Sequence, residues 1–259
     1  MKKTAIYLSA LLLVAVLPSC NKSSSSTPTP PANTAPTVNT PKDAWGVMGV
    51  VKLQTSYTTP SYPGVPSYTV DYNIGSALAA FSDAVGSANL VDAGTVKVND
   101  SLLTKVQNNG YGYTPAGVAS GSDIGLSTSA YTHTWVVGGS TGVTGFSYQH
   151  FGYLPTVGTI TSSSDIQTSA AYTLSVNNIS NNCDSIIWIM AGPNGDVRHT
   201  TGPGVYSNSF SASEVGSLGK GDNVGLLQVT PYFVMPATIN SKKYYFIKES
   251  CATKFVNLK

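Results

Sequence analysis

A chain of 259 residues with only 10% charged side chains and a formal net charge of +2 carries no basic stripe for nucleic acid. Its solubility must rest on hydroxyls and amides. The 25 glycines and 15 tyrosines, with abundant Ser, Thr, Asn and Val, favour turns and strands over long helices, which points away from a helical cytosolic enzyme and towards an all-β extracytoplasmic protein.

Lys2 and Lys3 open the chain, and an apolar run follows from Ala5 to Val16. That run is shorter than the roughly 20 apolar residues a spanning helix needs, so it reads as a cleaved secretory leader. Its end, Leu17-Pro18-Ser19-Cys20, resembles the lipobox of bacterial lipoproteins and departs from the usual pattern at Pro18. The resemblance implies that residues 1–19 are removed and that Cys20 becomes an acylated N-terminus. Several acyl chains, at about 0.8 kcal/mol per buried methylene, would hold the protein durably on a membrane. The expected location is the cell envelope at the outer membrane, with leaflet and face left open. Loss of Lys2 and Lys3 takes the formal charge from +2 to zero.

Residues 20–41 are rich in Ser, Thr, Pro and Asn and cannot bury enough apolar surface to offset their ordering entropy, so they form a tether. Its prolines favour extended conformations with a reach on the order of 60 Å. An N-terminal β domain is expected over 42–156. Its first strand covers Trp45 to Leu53 with loose alternation, and a second runs from Tyr68 to Ile74 after a Pro60-to-Ser67 loop. Residues 76–86 fit two patterns: Leu78, Phe81 and Val85 share a helical face, while Ala77, Ala79 and Phe81 alternate as in a strand. Thr95–Val98 and Leu102–Val106 flank Asn99-Asp100-Ser101, and Asn108-Asn109-Gly110 supplies another turn, because Asn and Gly tolerate positive φ. Strands at His133–Val137 and Gly145–Tyr153 flank the Gly138-to-Gly142 turn.

Pro155 to Gly158 is the expected boundary, and strand signals then recur to the end. They fall at Gly158–Thr161, Tyr172–Val176, Ser185–Ala191, Val197–Thr201, Asn208–Ser211, Val224–Phe233, Lys243–Lys248 and Thr253–Leu258. Ser211-Ala212-Ser213-Glu214 is a capping box that should start one helical turn. The strand rhythm and the Phe210…Leu218…Gly221…Val224-to-Val229 stretch make residues 157–259 resemble the immunoglobulin-like and fibronectin-III-like sandwiches of cell-surface proteins. The cysteines depart from the antibody pattern. The resemblance implies a fold and no particular activity. The fold class expected is therefore all-β, with two sandwich-like domains behind a leader and a tether.

With Cys20 acylated, Cys183 and Cys251 are the remaining pair in an oxidising compartment. One bridge is possible, worth about 4 kcal/mol in the chain-entropy picture; the other readings are two buried thiols or pairing between chains.

Chemistry is sparse. Gly138-Gly139-Ser140-Thr141-Gly142 has the spacing of a nucleophile elbow but no helix pattern after it. His133, His150 and His199 lack metal-ligand spacing, and Asp71-Tyr72-Asn73-Ile74-Gly75 lacks the later glutamate of a calcium loop. No metal, cofactor or nucleic-acid partner is expected. Aromatics are the remaining signal: Tyr111 and Tyr113 share one strand face, Phe146, Tyr148 and His150 share another, and Trp135 sits with His133. Exposed rings on a β scaffold stack on sugars or anchor proteins, whereas inward rings fill a core. Tyr111, Tyr113, Trp135 and Tyr148 are thus the ligand-binding candidates. The function expected is non-enzymatic binding or adhesion to a glycan or protein partner; the alternative is an extracytoplasmic hydrolase acting on glycans or peptides.

Overall fold

The computed structural model describes residues 41–58, 69–113 and 131–259, with side chains described outside 55–73 and 107. The leader, Cys20, nearly all of the tether and the Pro60-to-Ser67 loop lie outside the described residues. So do the side chains of Asp71, Tyr72 and Asn73. The described chain is all-β with one short helix. In order it forms β1 (Gly46–Thr58), β2 (Thr69–Phe81), β3 (Val96–Val98), β4 (Ser101–Leu102), β5 (Thr104–Lys105), β6 (Tyr111–Tyr113), β7 (Thr132–Val137) and β8 (Phe146–Phe151). There follow β9 (Asp165–Ile166), β10 (Tyr172–Ser175), β11 (Ser185–Gly192), β12 (Gly195–Thr201), β13 (Ser207–Phe210), α1 (Ala212–Ser217), β14 (Gly221–Ile239) and β15 (Lys242–Leu258).

A nine-stranded sheet in the order β12-β11-β14-β15-β1-β2-β6-β5, with β9 pairing to β15, forms the backbone of the molecule. A four-stranded sheet, β4-β3-β7-β8, and the β10-β13 pair complete a sandwich-like arrangement. The organising unit is the β14–β15 hairpin, 19 and 17 residues long, turned by Asn240 and Ser241 at φ 50° and 61°. Positive φ at both turn residues gives the twist that long antiparallel strands need. β15 then pairs in parallel with β1, from Gly46↔Tyr244 to Thr55↔Thr253.

Two hydrophobic cores lie on one face of this sheet. The first joins Met48, Val50, Ala77, Ala79 and Phe81 to Trp135 and Val137 of the four-stranded sheet. The second joins Ile186, Trp188 and Met190 to Leu174, Phe210, Val215 and Leu218. The cores divide near the expected boundary at 155–158, but the hairpin serves both. β15 sends Tyr244 and Phe246 into the first and Ala252, Val256 and Leu258 into the second.

The opposite face of the sheet is buried too, through Val47, Leu78 and Ile247 and through Ile187, Ile189 and Tyr232. A strand covered on both faces reads as a continuous apolar run, which explains the loose alternation of Trp45–Leu53. The same fact settles residues 76–81 as strand: Ala77, Ala79 and Phe81 enter one core while Leu78 packs on the other side.

Three expectations need correction. Lys243–Lys248 and Thr253–Leu258 are one strand, with Lys248, Glu249, Ser250 and Cys251 buried in its middle. The Gly158–Thr161 strand reduces to bridges at Val157↔Ile179 and Ile160↔Val176. Finally, Cys183 and Cys251 are both free, buried thiols. Cys183 belongs to the second core, whereas Cys251 alternates with Ala252 of that core and so points to the opposite face, beside Thr230. Cys183 lies two residues before β11, and β14 runs between β11 and the β15 strand of Cys251, a strand-to-strand spacing of about 10 Å; no disulfide reaches through a sheet.

Candidate functional site

β7 and β8 are an antiparallel pair in the register Thr132↔Phe151, His133↔His150, Trp135↔Tyr148 and Val137↔Phe146. Period-2 alternation gives the pair two faces. His133, Trp135 and Val137 point inward with Phe146, Tyr148 and His150; Thr132, Thr134 and Val136 point outward with Ser147, Gln149 and Phe151.

The inward face takes in the sequence candidates. Trp135 is fully buried, and Tyr111 is buried with its hydroxyl donating to Asp92 at 2.6 Å and accepting from the Ala93 amide at 2.8 Å. Tyr148 is half-buried, stacked on Phe246 at 4.0 Å. Tyr113 is half-buried against the same core. The four rings therefore belong to the first core and form no open strip, because β15 presents Tyr244 and Phe246 to this side of β8.

The open aromatic surface lies elsewhere. Tyr131, Phe151 and Tyr153 are 51%, 45% and 50% exposed and contact one another, with Tyr131 edge-on to Tyr153 at 5.0 Å and tilted to Phe151 at 6.2 Å. They cluster at the end of the four-stranded sheet, where β7 begins and β8 ends. Along the outward face from Phe151 run Thr132, Gln149, Thr134 and Ser147, a polar row on the order of 13 Å long at ~3.4 Å per residue. Sequence alternation held a partial signal for this surface: it puts Phe151 with Ser147 and Gln149, on the face of β8 opposite Phe146, Tyr148 and His150.

Beneath the three rings sits Lys248, fully buried. Its ammonium donates to the Tyr131 carbonyl at 3.2 Å and to the Gly152 carbonyl. Gly152 has φ 103°, a conformation only glycine adopts readily. Burial pushes the Lys248 ammonium down to about 8. His150 packs nearby between Phe233 and Phe246; burial first, then the charge of Lys248, takes it down to about 3, so at neutral pH it is an uncharged core residue.

His199 belongs to a separate cluster. Its Nε2 meets Glu214 at 2.8 Å, its Nδ1 meets the Asn208 amide at 2.6 Å, and its ring stacks on Phe210 at 4.5 Å. Glu214 also completes the helix cap with Ser211. The His199 hydrogen bond, then the Ser211 amide, hold the Glu214 carboxyl down at about 2. Both imidazole nitrogens are occupied by side chains other than hydroxyls, so this arrangement ties β12 to β13 and α1 and does not activate a serine. Ser140 of the Gly138-to-Gly142 turn spends its hydroxyl on the Asp92 carbonyl and is followed by β8, not a helix. Among the described residues no group of three or more His, Cys, Asp or Glu could hold a metal ion. Compared with models of known protein families and with curated proteins, the chain matches none.

Proposed function

We propose that this chain is a lipid-anchored cell-envelope protein that binds glycan through Tyr131, Phe151 and Tyr153, without catalysing a reaction. The observation that carries the reading is the exposed three-ring cluster on a sheet end, beside an outward row of hydroxyl and amide side chains. Sugar rings present apolar faces that stack on aromatics and hydroxyls that need hydrogen-bond partners, and this surface supplies both. Anchoring rests on the leader and the Leu17-to-Cys20 lipobox, with the tether holding the folded part off the outer membrane.

The test is a screen of the wild-type folded part against immobilised glycans, followed by titration calorimetry with Phe151→Ala and Tyr153→Ala. At least one of these changes should weaken binding tenfold or more, which is ~1.4 kcal/mol, while leaving the melting temperature nearly unchanged. A wild-type protein that binds no glycan, or one whose glycan binding survives both changes, overturns the reading; capture of a protein partner through the same rings would replace glycan with protein as the ligand. For the anchor, fatty-acid labelling and fractionation of Cys20→Ala should show an unlabelled, released protein.

A further inference from the structure

We infer that Lys248 is a positioning residue for the aromatic cluster: its buried ammonium clamps the Tyr131 and Gly152 carbonyls and so fixes the two chain segments that carry the three exposed rings. This rests on the glycan-binding reading for its functional consequence but not for its geometry. Tyr131 enters β7, and Gly152 lies between Phe151 and Tyr153 at the exit of β8. Tyr131 and Tyr153 lie just past the end of the ladder, whose last β7–β8 pair, Thr132↔Phe151, carries the third ring. Beyond it, two bonds from one Nζ atom tie these two backbone segments to the nine-stranded sheet.

Position 248 is costly for a lysine. It faces Phe233 on β14 and Val50 on β1 in register. A buried ammonium loses its hydration unless acceptors replace the water, whereas Met would fill the same volume without that cost. The two carbonyls are the replacement, and charge-assisted bonds are stronger than neutral ones. The titratable groups facing Lys248 are His150 from β8 and His133 from β7, with Lys52 one pair further along β1 on the same face. Glu249 points to the opposite side of the sheet by strand alternation and does not neutralise it on this face.

Lys248→Met tests the clamp directly. The variant should melt as a folded protein yet lose the Tyr131–Tyr153 and Tyr131–Phe151 ring contacts by NMR, and amide protection at Tyr153 should fall at least tenfold while the middle of β8 is unchanged. In wild type, protection at Tyr153 should also drop several-fold between pH 7 and 9.5 as the ammonium loses its proton, after correction for intrinsic exchange. That measurement decides the matter if Lys248→Met does not fold. Ring contacts and protection that persist in the variant, or in wild type across that pH range, overturn the clamp. Both readouts are made without ligand, so a wild-type protein that binds no glycan sinks the functional reading alone, and an unaltered ring cluster in Lys248→Met sinks the clamp alone.

Discussion

The shared hairpin predicts how the molecule unfolds. β14 and β15 keep one register from Gly225↔Val256 to Ile239↔Lys242, and the only shift lies before it, between Gly221 and Gly225. One ladder thus passes through both cores, and neither core retains its floor if the other melts. Phe246→Ala would open the first core, removing a fully buried ring stacked on Tyr148 at 4.0 Å. Trp188→Ala would open the second, also removing the indole bond to Thr201 at 2.9 Å. Each deletion should cost about 3 to 5 kcal/mol. For a cooperative unit of this size, ~2–4 °C is lost per kcal/mol, so each variant should melt roughly 6 to 20 °C lower. Scanning calorimetry should show a single transition in wild type and in both variants, with the calorimetric and van't Hoff enthalpies equal. Two transitions, with each substitution moving only its own, would refute the argument that the hairpin couples the cores.

Glu214 should set part of the acid limit. Its folded value lies below the ordinary 4.5, at about 2, so its stabilising share is complete above about pH 4.5 and is lost as pH falls through about 2; Glu214→Gln should flatten the stability profile in that window, and an unchanged slope would show the His199 contact to be idle. The two thiols should behave as inert core groups, pushed up to about 11 at Cys183 and about 12 at Cys251 by burial. Native protein should resist maleimide at both and label at both after denaturation, whereas a linked pair in non-reducing peptide mapping would contradict the opposite-face placement. Tyr111→Phe should cost about 1 to 3 kcal/mol, because the Ala93 amide loses its buried acceptor while the ring volume stays. A loss near zero would mean that water replaces the hydroxyl.

Local chemistry was the legible part. Asn99 and Asp100 at φ 45° and 65°, and Asn108 and Asn109 at 61° and 59°, turn where their residue types say they should. The Ser211–Glu214 box caps α1 with both reciprocal bonds. What could not be read is pairing at long sequence separation. Nothing near Gly46 announces that it will lie beside Tyr244, and a strand buried on both faces loses the alternation that would have fixed its register.

Which aromatic face is exposed was illegible for the same reason. Period-2 reasoning divides β8 correctly into Phe146, Tyr148 and His150 on one side and Ser147, Gln149 and Phe151 on the other, but it carries no sign for which side is inside. The sign comes from β15, about a hundred residues away, which lays Tyr244 and Phe246 against the first set and leaves Phe151 out. Lys248 was hidden by a second effect. Lys248-Glu249-Ser250 reads as the polar end of a strand, since isolated charges are rarely buried. Here the strand continues because two carbonyls from residues 131 and 152 take the place of water around the ammonium. The residue that ends the pattern in sequence is thus the one that joins the sheet to its aromatic surface.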